Sequence, residues 1–391
     1  MASINSHSNN NTSRIFFLYR FPAAIGFALL LSGSVVCLLF SVKFKNNNIY
    51  YLSSIIYLLS SFLFIKAAMA REKNNLMCSS RILLGFSSIL IVLCFFDLYI
   101  LNFRHDSSGP GGAVITHRNW YKTFVSNNEY GFWDRNIADF ETPDDERFVI
   151  AVVGDSFAWG QGIKGKEYRF TEQLENKLKS VSAKKKIAIL NFGRGGADTL
   201  AETKIIREFV SKIHPDMVVI CYLSNDIETS HLMVGTKQYN TFTNKLSLIS
   251  PTLNFFYWRW LGPMKYQNSG LTFFANIVEA YRNPESFRKH TDDIQVMIED
   301  VRKIGAEPVF VLMPFPSMWA IFRKDVRELV YTNIRHAVSE SGTPLIDLTY
   351  IEDKYSVKEF QVNPMDAHPN ERMHEKFAET IYKWLVENRS W

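Results

Sequence analysis

The chain has 391 residues, which at ordinary domain sizes predicts about two or three units. With 47% hydrophobic and 21% charged residues it can bury a sizeable core and is not a disordered chain. Four cysteines, at positions 37, 78, 94 and 221, match neither a disulfide framework nor paired metal-ligand spacing.

The net charge of +5 is unevenly placed. Residues 1–103 hold eight Lys/Arg against Glu72 and Asp97, while the remainder carries 36 basic and 37 acidic residues. A groove for phosphate backbones needs its surplus in the folded region, so nucleic acid is excluded as an expected partner.

Instead the surplus flanks apolar runs. Phe21 to Val42 contains no charged residue and is long enough to cross a bilayer as a helix. It exceeds the apolar core of a cleaved signal peptide. Further apolar runs cover Ile49 to Ile65 and Ile82 to Phe103, the last broken only by Asp97, for which solvation at the membrane interface is the expectation. Three transmembrane helices are therefore predicted. Basic flanks resist translocation, so Arg14 and Arg20 before the first span, and Lys66, Arg71, Lys73 and Arg81 between the second and third, belong in the cytoplasm. This predicts a multi-pass protein of the cell membrane, in contact with its lipid, whose C-terminal region is extracytoplasmic, in a periplasm if there is one.

Residues 104–146 begin with Gly109-Pro110-Gly111-Gly112 and read as a linker and lead-in. After it, nearly continuous apolar runs at Arg147 to Val153, Ile187 to Phe192, Met217 to Tyr222, Pro308 to Met313 and Pro344 to Leu348 predict buried parallel strands. Amphipathic patterns over about 168–180, 199–213, 286–304, 323–341 and 370–388 predict helices between and after them. The alternation argues for an α/β domain with a doubly wound parallel sheet over 147–391. Residues 227–285 make an insertion or cap after the third strand. Its aromatics Phe255, Phe256, Tyr257, Trp258 and Trp260 suit substrate contact, core packing or a membrane surface.

Ligands of such sheets sit beyond the carboxyl ends of the strands. The first predicted strand runs into Gly154-Asp155-Ser156, the second into Asn191-Phe192-Gly193-Arg194-Gly195-Gly196, the third into Ser224-Asn225-Asp226. Beyond the fifth lies Asp366-Ala367-His368-Pro369-Asn370. A serine hydroxyl needs a base to become a nucleophile, which pairs Ser156 with His368. An acyl transition state needs donors aimed at its oxyanion: the backbone N–H of Ser156, that of Gly196 and the Asn225 amide are the candidates. Asp366 is the candidate for orienting the imidazole, a backbone carbonyl being the other possibility.

Taken in order, these four blocks resemble those of the SGNH/GDSL hydrolase superfamily, and Asn128-Glu129-Tyr130-Gly131-Phe132 resembles the lead-in of its bacterial members. The resemblance implies a flavodoxin-like sheet, a serine nucleophile, and activity on esters of carbohydrates, lipids or acetylated glycans, with Asp155 and Asp226 in support. Leu223 stands where the third block often has glycine, and Met365 where the last often has aspartate.

Other chemistries fit less well. The glycines around Gly195 do not match a dinucleotide loop, and no helical zinc pair is present in the sequence. Ala158 replaces the last glycine of a nucleophile elbow. A Ser156 that only caps a helix is the bland alternative, as is packing for His374. No metal or diffusible cofactor is called for. The sequence thus predicts a membrane-anchored serine esterase acting on an acylated, most simply acetylated, exterior glycan. An O-acyltransferase working with a membrane acyl-donor partner, or a non-catalytic glycan-binding protein, are the alternatives.

Overall fold

The computed structural model describes residues 55, 59, 62, 85, 88, 89, 92 and 93 and the runs 95–109, 113–182, 185–227, 242–248 and 250–389. The first predicted span lies outside these residues, the second almost wholly so, and the third is described mainly over its helical end, 95–103. Among the described residues no helix is long and apolar enough to cross a membrane.

The chain divides into two compact units. One comprises Met1–Arg104 with Phe242–Tyr257, the other His105–Thr241 with Trp258–Trp391. In the first unit Asp97 is buried, accepting from the Ser250 hydroxyl and the Thr252 N–H, both at 2.7 Å, at the start of the helix Pro251–Phe256. This corrects the expectation of solvation at an interface. A carboxylate beside an apolar run has found donors at a helix start, where backbone N–H groups lack partners of their own.

The second unit is built on β1 (Arg147–Gly154), β2 (Lys186–Asn191), β3 (Met217–Tyr222), β4 (Glu307–Leu312) and β5 (Leu345–Asp347), all parallel, in the order β2-β1-β3-β4-β5. Each predicted strand lies within a residue or so of an observed one. The order reverses direction beside β1, the arrangement of the flavodoxin-like doubly wound sheet, which opens a crevice at the carboxyl ends of β1 and β3. All six residues of β3 are buried, and β1 is buried from Val149 onward. A strand with helices on both faces has no solvent side, which is why both read as unbroken apolar runs.

Among the described residues, seven helices of ten residues or more accompany the sheets: α1 (Ile115–Phe124), α2 (Phe170–Val181), α3 (Thr199–Glu208), α4 (Gly262–Arg282), α5 (Pro284–Lys303), α6 (Lys324–Glu340) and α7 (Glu371–Asn388). α2 packs on α7, while α3 packs on α5 and α5 on α6. A second sheet pairs β6 (Gln361–Asn363) with β7 (Asp366–Pro369) antiparallel. Sequence periodicity misses these strands because they are too short to show one.

Residues 105–146 are not a spacer but part of this unit. α1 buries Trp120, whose indole donates to the Ile163 carbonyl at 2.9 Å. Asn128 folds the next turn, its side-chain oxygen accepting from the N–H groups of Tyr130 and Phe132, and so delivers Phe132 and Trp133 to the core. The Trp133 carbonyl in turn accepts from the buried Arg169 guanidinium at 2.7 Å. The described part of the predicted insertion, 242–248 and 250–285, is largely helical and is split between the two units. Phe255, Phe256 and Tyr257 fall in the first unit, whereas Trp258 is buried in the second with its indole on the Ala113 carbonyl at 3.1 Å.

The end of β1 tolerates no side chain. A Cβ on Gly154 would lie 2.6 Å from the Ala158 Cβ and 2.9 Å from both the Cβ and the carbonyl oxygen of Cys221 on β3. Replacing Gly154 with Ala is expected to push β1 and β3 apart, at a cost of about 1–3 kcal/mol in unfolding free energy. Denaturant titration checks this; unchanged stability would show that the sheet edge is looser than drawn.

Candidate active site

β1 ends directly at the site. Asp155 leaves the strand and caps the one-turn helix Ser156–Trp159, one carboxylate oxygen accepting from the Phe157 N–H at 2.8 Å. Ser156 is thus the first helical residue at the carboxyl edge of the sheet, close to fully buried. Its hydroxyl lies 2.9 Å from His368 Nε2 and 3.3 Å from the other Asp155 oxygen. A hydroxyl has one proton to give, and the shorter contact is to the imidazole.

His368 reaches Ser156 from 212 residues away in sequence, carried on β7. Its placement is fixed from behind. Asn370 caps α7 by accepting from the Met373 N–H, and its amide donates to the Glu359 and Gln361 carbonyls, tying β7 to the segment before it. Asp366, on the same strand, accepts from His368 Nδ1 at 2.5 Å and from the His368 N–H at 3.1 Å with one carboxylate oxygen. With the ring proton on Nδ1, the Nε2 lone pair faces Ser156. The sequence left the orienting group open between this carboxylate and a backbone carbonyl, and it is the carboxylate that occupies the position.

The second Asp366 oxygen accepts from the Ser107 hydroxyl. Ser107 is positioned in turn by buried His117, whose Nδ1 donates to the carbonyls of Ser107 at 2.7 Å and Gly109 at 3.1 Å. Burial holds the His117 pKa below the ordinary imidazole range, so the ring stays neutral. Gly162 leaves room for the pair. It sits at φ +92°, and a Cβ there would come within 2.9 Å of the Ser107 Oγ and 3.2 Å of an Asp366 oxygen. Neither Ser107 nor His117 could be singled out from the sequence, because each acts through a contact that only the folded lead-in segment creates.

For His368, burial works against the charged form. The Asp366 and Asp155 carboxylates outweigh it, and the net pKa lies above the ordinary value of 6.5. Asp155 itself is pushed up by burial, against the lowering effect of the Phe157 N–H, the His368 charge and hydrogen bonds from Asn225 and Ser156.

The three candidate oxyanion donors arrive on separate elements. Ser156 supplies its own N–H at the β1 exit. Gly196 is exposed in the turn after β2, with φ +74°, and that turn is drawn to β1 by the Arg194 N–H on the Gly154 carbonyl at 3.0 Å. Asn225 lies in the short turn Ser224–Ile227 after β3 and hydrogen-bonds to Asp155, which leaves its amide a second N–H to offer. Asp226 points into the fold and accepts from the Leu223 N–H at 2.6 Å, closing the turn that holds Asn225.

Behind the site lie groups that the sequence reading did not single out. Glu202 on α3 is fully buried, with no hydrogen-bond partner among the described residues at either carboxylate oxygen. Burial, then the Asp155 and Asp198 charges, raise its pKa well above the usual range, and Asp226 is raised by burial and by Glu202 and Asp155. Three carboxyls cannot all ionise in such a space, and burial favours the neutral form of Glu202. On the other flank, the Phe157 ring packs 5.5 Å from His368 and 5.4 Å from Phe315, which follows β4. His374 stacks on Phe170 and accepts from its N–H at 3.2 Å, a packing role away from the hydroxyl.

A hydroxyl, an imidazole with its lone pair aimed at it, a carboxylate behind the imidazole and amide donors at the rim can together carry out acyl transfer through a covalent serine ester.

Comparison with known proteins agrees with that chemistry. The model of the GDSL-like lipase/acylhydrolase family matches residues 152–376. A search of curated proteins finds no match to the sequence. Among solved structures, TesA is similar at 12% identity and a TM-score of 0.40, covering 60% of this chain and 96% of that one. The lipase/acylhydrolase from Enterococcus faecalis is similar at 14% and 0.38, covering 61% and 94%. The acetyl xylan esterase AlAXEase is similar at 15% and 0.38, covering 61% and 100%. The family match spans more than half of the sequence and includes both Ser156 and His368, and on that ground the chain belongs to the GDSL-like lipase/acylhydrolase family of ester-bond hydrolases.

Proposed function

We propose that the protein is a membrane-anchored serine esterase that removes O-acyl groups, acetyl above all, from a glycan outside the cytoplasm. The observation that carries the reading is the unbroken line from Asp366 through His368 to the Ser156 hydroxyl, with contacts of 2.5 and 2.9 Å.

In this reading Ser156 Oγ attacks the ester carbonyl while its proton passes to His368 Nε2. Asp366 holds the imidazolium that forms, and the N–H groups of Ser156 and Gly196 with the Asn225 amide meet the oxyanion. His368 then returns the proton to the departing sugar oxygen, leaving Ser156 acylated. Water, deprotonated by the same imidazole, releases the free acid and restores the hydroxyl. Asp155 and Asp226 support the site by fixing the two turns that carry Ser156 and Asn225. The Phe157 ring beside His368, with Phe315 packed on it, suits a short acyl group.

Membrane anchoring is supported by the three apolar runs and by the helix 95–103, on which Phe95, Phe96, Tyr99 and Phe103 are each at least half exposed. The exterior location is supported by the clustering of basic residues on the flanks assigned to the cytoplasm. In the second unit Trp260 and Met264 expose further apolar surface, at 64% and 68%.

Replacing Ser156 with Ala is expected to lower release of acetate from 4-nitrophenyl acetate by about four orders of magnitude. Retained activity, or transfer of acetyl to a sugar acceptor in place of acetate release by the parent protein, would contradict the assignment. A C-terminal reporter that works only outside the cytoplasm should be active, and an inactive one would reverse the orientation.

The base must be neutral to act, and the neighbouring carboxylates favour its charged form. Activity is therefore expected to rise with pH along an acidic limb whose midpoint lies above the ordinary imidazole value of 6.5. Asp366→Asn should move that midpoint down and cut kcat by about 100- to 10,000-fold. A midpoint that the substitution leaves in place would remove Asp366 from its role.

A further inference from the structure

The long helix of the insertion, α4, packs against the short turn Ser224–Ile227 that carries Asn225. Near its end Tyr281 is buried, and the Tyr281 hydroxyl donates to the Ser224 carbonyl at 2.9 Å. Behind Tyr281 the contacts continue into the core. Its oxygen lies 2.5 Å from the hydroxyl of Tyr222, the last residue of β3. The Tyr222 oxygen lies 2.7 Å from Nε2 of His290, which is buried on α5.

The direction of this chain follows from what each atom can give. A carbonyl oxygen only accepts, so the Tyr281 proton goes to Ser224. The Tyr281 oxygen is then left to accept, and it takes the Tyr222 proton. Tyr222, its own proton spent, accepts from a proton on His290 Nε2. The donors therefore run from His290 through Tyr222 and Tyr281 to the Ser224 carbonyl. Each member stays neutral: burial raises both tyrosine pKa values well above the ordinary range and lowers that of His290 to about 3.

Ring packing fixes these hydroxyls in turn. The Tyr222 ring lies 5.3 Å from Phe310 on β4 and 5.7 Å from His290, and the Tyr281 ring lies 6.0 Å from Phe287 on α5. The donor on the Ser224 carbonyl is thus placed by β3, α4 and α5 together. That carbonyl and the Asn225 N–H belong to one planar peptide unit, so holding the oxygen holds the plane from which the Asn225 side chain departs. Across the turn, Asp226 accepts from the Leu223 N–H at 2.6 Å. An oxyanion donor contributes most when its direction is set before the charge develops, and here the turn is braced from both sides.

We infer that Tyr281, backed by Tyr222 and His290, is a positioning residue that holds Asn225 in the oxyanion pocket. This rests on the reading of Asn225 as an oxyanion donor of a serine esterase. It gives the insertion a part in the reaction that needs no contact with substrate: α4 braces one donor, as the Asn370 cap braces the strand that carries His368.

The test is a double-mutant cycle on the full chain with Tyr281→Phe and Asn225→Ala, read in the rate at which a fluorophosphonate labels Ser156 and in kcat and KM for 4-nitrophenyl acetate. Asn225→Ala is expected to slow labelling and kcat by about 100-fold. Tyr281→Phe keeps the ring and loses the hydroxyl, and it should lower both by about tenfold with KM within about twofold of the parent. In the Asn225→Ala background the same change should cost nothing further, because no amide is left to aim. A tenfold loss that recurs without Asn225, or one confined to KM, would overturn the inference. His290 gives a second probe should Tyr281→Phe fail to fold: His290→Gln keeps an N–H for Tyr222 and should retain most of the rate, whereas His290→Leu should lose about fivefold, and only when Asn225 is present. Equal rates for those two variants would overturn the chain. Undiminished labelling and turnover in Asn225→Ala would remove the donor assignment and the inference with it, whereas labelling that follows the expected cycle without any hydrolysis would support the inference and count against the esterase alone.

Discussion

The Asp366 carboxylate is the constraint on which the site depends. One of its oxygens fixes the His368 ring and its backbone N–H, the other takes the Ser107 hydroxyl, and only with the ring proton held there does a lone pair face Ser156. A buried carboxylate left without such donors is costly, and a displaced one would release the imidazole. The short β6–β7 sheet, the cap at Asn370, the lead-in segment with Ser107 and His117 and the side-chain-free position at Gly162 all serve to keep those donors in place.

The same electrostatic economy governs the far side of the hydroxyl. Asp155, Glu202 and Asp226 are buried together behind the site, and Glu202 has no hydrogen-bond partner among the described residues. Were all three ionised, their repulsion would act on the two turns that carry Ser156 and Asn225. Burial favours the neutral form of Glu202, which eases that repulsion while Asp155 takes hydrogen bonds from Ser156 and Asn225. The Asp366 and Asp155 carboxylates beside the imidazole favour the protonated form that an acyl-transfer step creates.

Much of the fold is legible in the sequence because β1 and β3 are covered on both faces and so appear as unbroken runs such as Met217 to Tyr222. Ser156, Asn225 and His368 stand out because each follows a strand or precedes a helix at a place where this architecture binds ligands. What stays hidden depends on contacts distant in sequence. Ser107 meets Asp366 across 259 residues, and a Gly-Pro-Gly-Gly stretch beside it suggests a spacer rather than a packed segment. Asp97 reads as a charge at a membrane boundary because nothing local reveals that Ser250 and Thr252 supply its donors.

The central claim is that a single serine is made reactive by this histidine and carboxylate. It is tested most directly by exposing the full chain to a fluorophosphonate and mapping the adduct. Trypsin should release residues 148–164, where Ser156 is the only side-chain hydroxyl. The expected result is a single adduct on that peptide, lost when His368 is replaced by Ala and formed more slowly when Asp366 is replaced by Asn. An adduct elsewhere, or undiminished labelling without His368, would contradict the account.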